Sequence, residues 1–216
     1  MGGRSGQSTG GGSGGLGKTF AYSPSDADVP ISEISASNSD YSWLKINGID
    51  EQKTENWQKF VNSYTRNGYS VNSKIIDNDL NATDIKYIKG LNASLDKIAS
   101  TEGTFERGMK LKQGSRTEKL VNSLLKNVGK NITMTTFLST SADKATAKTF
   151  GTTSGTPVIF TVKGKNGKSV EKLSSFTTEK EFMFKAGTKI KVNSAVKEYD
   201  ANFSKEIIKI SLTEKP

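Results

Sequence analysis

Two carboxylates, Glu179 and Glu181, stand two residues apart in the segment Phe176-Thr177-Thr178-Glu179-Lys180-Glu181-Phe182-Met183-Phe184. If a strand begins here, both acids share one of its faces. Like charges that close raise at least one pKa. Such a pair suits two roles, one acid facing developing positive charge and the other handling an acceptor. A second patch, Phe137-Leu138-Ser139-Thr140-Ser141, puts three hydroxyls where a strand ends and a helix begins. Ser141 fits the N-cap. Ser139 and Ser141 point to the face opposite Thr140, so one of the serines can orient a group from a neighbouring strand. A third patch, Thr104-Phe105-Glu106-Arg107-Gly108-Met109, reads as a strand. Gly108 lets another group approach closely, and Arg107 offers a bidentate grip on phosphate. Singly, the three patches also read as a solvated strand face, a helix cap and a surface arginine. Their fixed order, each at an element boundary behind an aromatic residue, is what points to chemistry.

Absent residue types narrow that chemistry. The 216 residues include no Cys and no His. Disulfides, thiolate metal sites, a cysteine nucleophile, a Ser-His-Asp triad and the usual zinc sites are excluded. Carboxylates, hydroxyls, Lys, Arg and Tyr remain. The net charge of +9 favours acidic or phosphate-bearing partners without choosing among them. Apolar residues make up 33% of the chain, which allows one domain with a modest core. No apolar run reaches the roughly 20 residues of a membrane span, and no signal peptide is visible.

The elements that must position these groups follow from periodicity. Residues 1–17 hold nine glycines and read as a disordered Gly/Ser-rich tail. Residues 18–50 read as a partly ordered linker, and 51–216 as the catalytic domain. Trp57, Phe60, Val61 and Tyr64 form one apolar stripe of a helix from near Glu51, with Gly68 as its stop. A second helix is expected from about Thr83 to Ala99, striped by Ile85, Ile88, Leu91, Leu95 and Ile98. A third begins at Ser115, where Ser115-Arg116-Thr117-Glu118 fits a capping box. It carries Leu120, Val121, Leu124, Leu125 and Val128 and stops at Gly129. A fourth is expected over 142–150. The second half turns to short β-branched or aromatic runs: 132–138, 157–163, 168–173, 180–185, 189–196 and 206–212. Gly164-Lys165-Asn166-Gly167 separates two of them. Helices first and mostly antiparallel strands afterwards make an α+β arrangement.

The ordered Arg107, Ser139-Thr140-Ser141 and Glu179-x-Glu181 resemble the R-S-E pattern of the ADP-ribosyltransferase toxin superfamily, in its C2/C3-like branch, over roughly residues 85–213. The lack of His agrees, since the diphtheria-like branch uses a histidine where this one uses the arginine. One departure is Glu106, which stands where the family usually has an aromatic. The resemblance implies two packed, mostly antiparallel sheets with NAD in the cleft between them. It implies that Arg107 holds an NAD phosphate, with Gly108, Thr140 and Ser141 also on the cofactor side. Ser139 would fix Glu181, and Glu181 would hold the ribose 2′-hydroxyl and stabilise the oxocarbenium-like cation as nicotinamide leaves. Glu179 would handle the acceptor, with arginine favoured by Glu-x-Glu. Residues 172–178 would meet the target, with Phe176 as an aromatic contact or as core.

NAD as substrate, with no metal, is therefore expected. The protein partner would be a host target such as actin or a Rho-type GTPase. The Gly-rich start suggests the effector piece of a larger parent or delivery toxin, such as an Rhs or insecticidal toxin-complex protein, secreted or injected and acting in the target cell's cytosol. A monomer is expected, without stable nucleic-acid binding. Two other readings stay open: an NAD glycohydrolase, which delivers ADP-ribose to water, and a basic, non-catalytic domain for nucleic acid or an anionic surface.

Overall fold

The computed structural model describes residues 56–143, 145, 155–174, 176–201 and 203–216. The tail expected over 1–17 and the linker over 18–50 lie outside these residues, as does most of the helix expected over 142–150. The elements run α1 (Asn56–Asp77), α2 (Ala82–Asp96), β1 (Ser100–Leu111), α3 (Arg116–Lys126), β2 (Asn131–Met134), β3 (Leu138–Ser141), β4 (Thr156–Ser169), β5 (Glu181–Phe184), β6 (Thr188–Asp200) and β7 (Lys205–Glu214). Helices dominate the first half and strands the second, with β1 set between α2 and α3.

Helix α1 does not stop at Gly68. A Cβ there would lie 2.7 Å from the Tyr64 ring. The glycine is a flat spot on which the ring lies, and the helix continues to Asp77. Helix α2 begins at a reciprocal capping box. The Asn81 side chain accepts from the Asp84 amide at 2.8 Å, and the Asp84 carboxylate accepts from the Asn81 amide at 3.1 Å. Ser115 caps α3 through the Glu118 amide. The Glu118 carboxylate takes the Gly114 amide instead of the cap residue's own, so this box is only half made. Leu125 and Val128, assigned to the apolar stripe, are exposed.

The strands form one hydrogen-bonded set in the order β1-β3-β5-β4-β7-β6-β2, with β1 also paired to β4. Two limbs result. The long strands β1, β4, β7, β6 and β2 make one, and the short pair β3–β5 makes the other, bridging from β1 to the end of β4. All pairings are antiparallel except β4 with β7.

Two sequence expectations are corrected here. The run 132–138 is two strands with a gap, and Asn72 of α1 fills that gap. Its amide accepts from the Phe137 N–H at 3.1 Å and donates to the Phe137 carbonyl at 3.0 Å. The Gly164–Gly167 segment does not end a strand, because β4 continues through it with a shift of its register against β1. A Cβ on Gly164 would lie 2.5 Å from the Phe184 ring, and one on Gly167 would lie 2.7 Å from that of Phe105. These glycines make room for aromatic rings across the sheet.

Two cores hold the layers. One packs α1 and α2 (Phe60, Val61, Tyr64, Leu91, Leu95) on Phe137, Val170 and Met183. The other lies between the limbs and α3 and contains Phe105, Val121, Leu124, Phe160, Val162 and Phe184. Among the described residues no helix is long and apolar enough to cross a membrane.

Candidate active site

The β3 strand lies between β1 and β5, and this places the three sequence patches side by side. Ser141 pairs in register with both Glu106 and Glu181. Ser139 Oγ donates to Glu181 Oε1. Arg107 Nη1 donates to the Ser139 carbonyl at 2.7 Å. Arg107, Ser139, Glu179 and Glu181 all line one cleft of about 540 Å³, floored by Phe137 to Ser141 and walled by α1. A cleft of that size matches small-molecule sites in general.

Glu179 and Glu181 do not share a strand face as the sequence suggested. Glu179 ends a short 3-10 turn, Thr177–Glu179, and Lys180 then takes a left-handed conformation at φ 45° before β5 begins at Glu181. A non-glycine residue there is uncommon and is held only by its surroundings. The kink sends the two carboxylates into the cleft from different backbone directions. Ser141 Oγ donates to the Glu179 carbonyl at 2.7 Å and accepts from the Asp143 amide at 2.9 Å. It is thus a tie on the turn, and most of the helix it was expected to cap lies outside the described residues.

Burial sets the electrostatics. Glu181 is 6% exposed. Desolvation pushes its carboxyl above the usual range, Glu179 adds to that, and hydrogen bonds from Ser139 and Ser174 with the Arg107 charge pull it back. Glu179 is also raised, by burial alone. Arg107 is lowered by burial, offset in part by Tyr64 and Glu181. Among the described residues its guanidinium makes one hydrogen bond, to a carbonyl, and no carboxylate salt bridge. A half-buried guanidinium so lightly engaged keeps donors available for an anion.

The other sequence candidates fall into place unevenly. Gly108 lines the cleft beside Arg107. Thr140 also lines it, but its hydroxyl is committed to the Phe182 carbonyl at 2.9 Å. Phe176 is 51% exposed at the cleft, which removes the core reading and leaves it free for contact. Sequence reasoning missed three participants. Tyr64, assigned to a core stripe, lies against Phe137 at 5.1 Å. Its hydroxyl accepts from Asn72 at 3.0 Å, and burial drives its pKa up. Asn72 itself had no local signal. Ser174, 6% exposed, donates to Glu181 Oε2 at 3.3 Å. Its only advance sign was a hydroxyl two residues before Phe176. Among the described residues no cluster of three metal-ligating side chains occurs.

Several solved structures share this fold. An ADP-ribosyltransferase from Clostridium botulinum is 18% identical, with a TM-score of 0.56 over 74% of this chain and 87% of its own. Exoenzyme S from Pseudomonas aeruginosa, solved with human 14-3-3 protein beta and carba-NAD, is 20% identical, with a TM-score of 0.55 over 87% of this chain and 86% of its own. The ADP-ribosyltransferase Vis, solved in complex with agmatine, is 20% identical, with a TM-score of 0.56 over 93% of this chain and 90% of its own. No curated protein is significantly similar in sequence. The family model for ADP-ribosyltransferase exoenzymes matches residues 39–215. That match spans most of the chain and all three patches, and the chain belongs to the ADP-ribosyltransferase exoenzyme family, enzymes that take ADP-ribose from NAD and transfer it to an acceptor.

Proposed function

We propose that this chain is a toxin that moves ADP-ribose from NAD onto an arginine side chain of a host protein, actin or a Rho-type GTPase being the first targets to try. Arg107 holds an NAD phosphate. Glu181, fixed by Ser139, accepts the 2′-hydroxyl of the nicotinamide ribose and faces the positive charge that builds at C1′. The C1′–N bond breaks and nicotinamide leaves neutral with the bonding pair. This charge exists only near the transition state, so a fixed carboxylate there stabilises that state above the ground state. Glu179 takes a proton from the acceptor guanidinium, whose nitrogen then bonds C1′. A carboxyl raised by burial is the better base for that task. Phe176, exposed beside Glu179, meets the target.

The observation that carries this reading is the convergence of a lightly engaged, half-buried guanidinium with two raised carboxyls in one cleft. The agmatine bound to Vis, itself a guanidine, supports arginine as acceptor. The catalytic unit is residues 51–216, preceded by a tail and linker left from a parent or delivery protein. Its route is secretion or injection into the target cell.

The test is Glu179→Gln with labelled NAD and a eukaryotic lysate. Protein labelling is expected to fall at least about 100-fold, the scale of general-base catalysis, while NAD cleavage stays within about threefold. Parallel loss of both activities would remove the division of labour. Unchanged labelling would place the acceptor elsewhere.

A further inference from the structure

The Glu181 carboxylate is gripped at both oxygens. Ser139 on β3 takes Oε1, and Ser174, between β4 and the 3-10 turn, takes Oε2 at 3.3 Å. The same Ser174 Oγ accepts the Phe176 N–H at 3.0 Å. A hydroxyl has one proton and two lone pairs, so it can donate to the carboxylate and accept from the amide at once. Ser174 thus stands between the turn that carries Phe176 and Glu179 and the carboxylate that faces the ribose.

The backbone around Ser174 is anchored independently of its side chain. The Leu173 and Ser174 amides both donate to the Val170 carbonyl, at 2.8 and 2.7 Å, and the Val170 amide donates to the Glu181 carbonyl at 3.0 Å. Asn62 of α1 donates to the Leu173 carbonyl at 2.7 Å. A buried hydroxyl in a loop already fixed by its main chain is not needed to fold that loop.

We propose that Ser174 is a positioning residue that ties the acceptor-facing turn to Glu181, its proton aiming the carboxylate and its lone pair holding Phe176 in register. This rests on Glu181 being the group that faces the ribosyl cation. The charged and titratable groups around Glu181 are Arg107 from β1, Tyr64 from α1 and Glu179 from the turn, and none of them is altered when Ser174 changes. A hydrogen bond to the ionised form favours that form, so its loss moves the Glu181 titration to higher pH.

The experiment compares Ser174→Ala and Ser174→Thr with the parent chain. The Glu181 carboxyl is titrated by ¹³C NMR without NAD, and NAD cleavage and protein labelling are followed against pH. For Ser174→Ala the Glu181 titration and the acid limb of kcat are expected to move upward. At neutral pH kcat falls about tenfold, as for loss of one hydrogen bond to a charged group, with KM for NAD little changed. Labelling falls more than cleavage, because the amide of Phe176, the residue that meets the target, loses its acceptor. Ser174→Thr, which keeps the hydroxyl, restores the parent titration. An unmoved Glu181 titration in a folded Ser174→Ala chain overturns the proposal, whatever the rate. If that variant does not fold, Ser174→Cys, a weaker donor of similar size, must show the upward shift, and its absence is equally fatal. The titration needs no turnover, so a shifted Glu181 in a chain that labels no protein would reject the transferase reading and leave the Ser174 coupling intact.

Discussion

Glu181 is held where its charge works against folding. Burial raises its carboxyl above the ordinary glutamate range, and the hydrogen bonds from Ser139 and Ser174 offset this only in part. Between the ordinary range and the raised value, the folded chain binds more protons than the unfolded one. The contribution to stability is therefore complete below the ordinary range and is lost as pH rises through the folded value. Glu181→Gln is expected to melt above the parent at neutral pH. The gap should narrow as pH falls below the ordinary carboxylate range. NAD cleavage should drop about 100- to 1000-fold, as when one preorganised electrostatic contact is removed. Calorimetry across pH with a nicotinamide-release assay checks both, and equal melting temperatures at every pH would show that the carboxyl bears no burial penalty. Arg107 has the same character with the opposite charge, being a desolvated guanidinium without a carboxylate salt bridge among the described residues. That both residues survive in one cleft is what a site optimised for a charged ligand looks like.

Elements carry the site through devices that local periodicity misreads. Gly68, Gly164 and Gly167 look like punctuation. In the structure each lies under an aromatic ring, Tyr64, Phe184 and Phe105 respectively. Gly164→Val should therefore destabilise the fold by about 1–3 kcal/mol, the usual cost of overfilling a packed interior. The cause is the 2.5 Å approach to Phe184, not a lost turn. Chemical denaturation reads the change, and a neutral result would mean that the Phe184 ring moves aside freely. The same logic explains the gap between β2 and β3. The Phe137 amide and carbonyl need partners, and Asn72 from another element supplies both. Lys180, left-handed between the two glutamates, lets a 3-10 turn feed a strand and aims the acids separately. Nothing about a lysine advertises that conformation.

At the scale of the whole molecule, a chain starting at Glu51, the proposed boundary of the catalytic unit, is expected to fold, to melt within about 5 °C of the parent and to keep its NAD cleavage. A large loss of melting temperature would show that residues before 51 complete the core. The strands close a circuit, β1-β3-β5-β4 and back to β1, and that circuit brings Arg107, Ser139 and Glu181 together across long stretches of chain. The sequence by itself determined the chemistry on offer. The missing Cys and His left acids, hydroxyls and arginine, and the order of three patches carried the family. It also determined the helices and most strands, because periods of 3.6 and 2 are written into neighbouring residues. It did not determine that β3 inserts between β1 and β5, that β4 runs through its glycines, that Glu179 leaves the strand, or that Tyr64, Asn72 and Ser174 join the site. Those features depend on hydrogen bonds and ring contacts between residues distant in the chain. Such pairings leave no local trace and exist only when the layers close on one another.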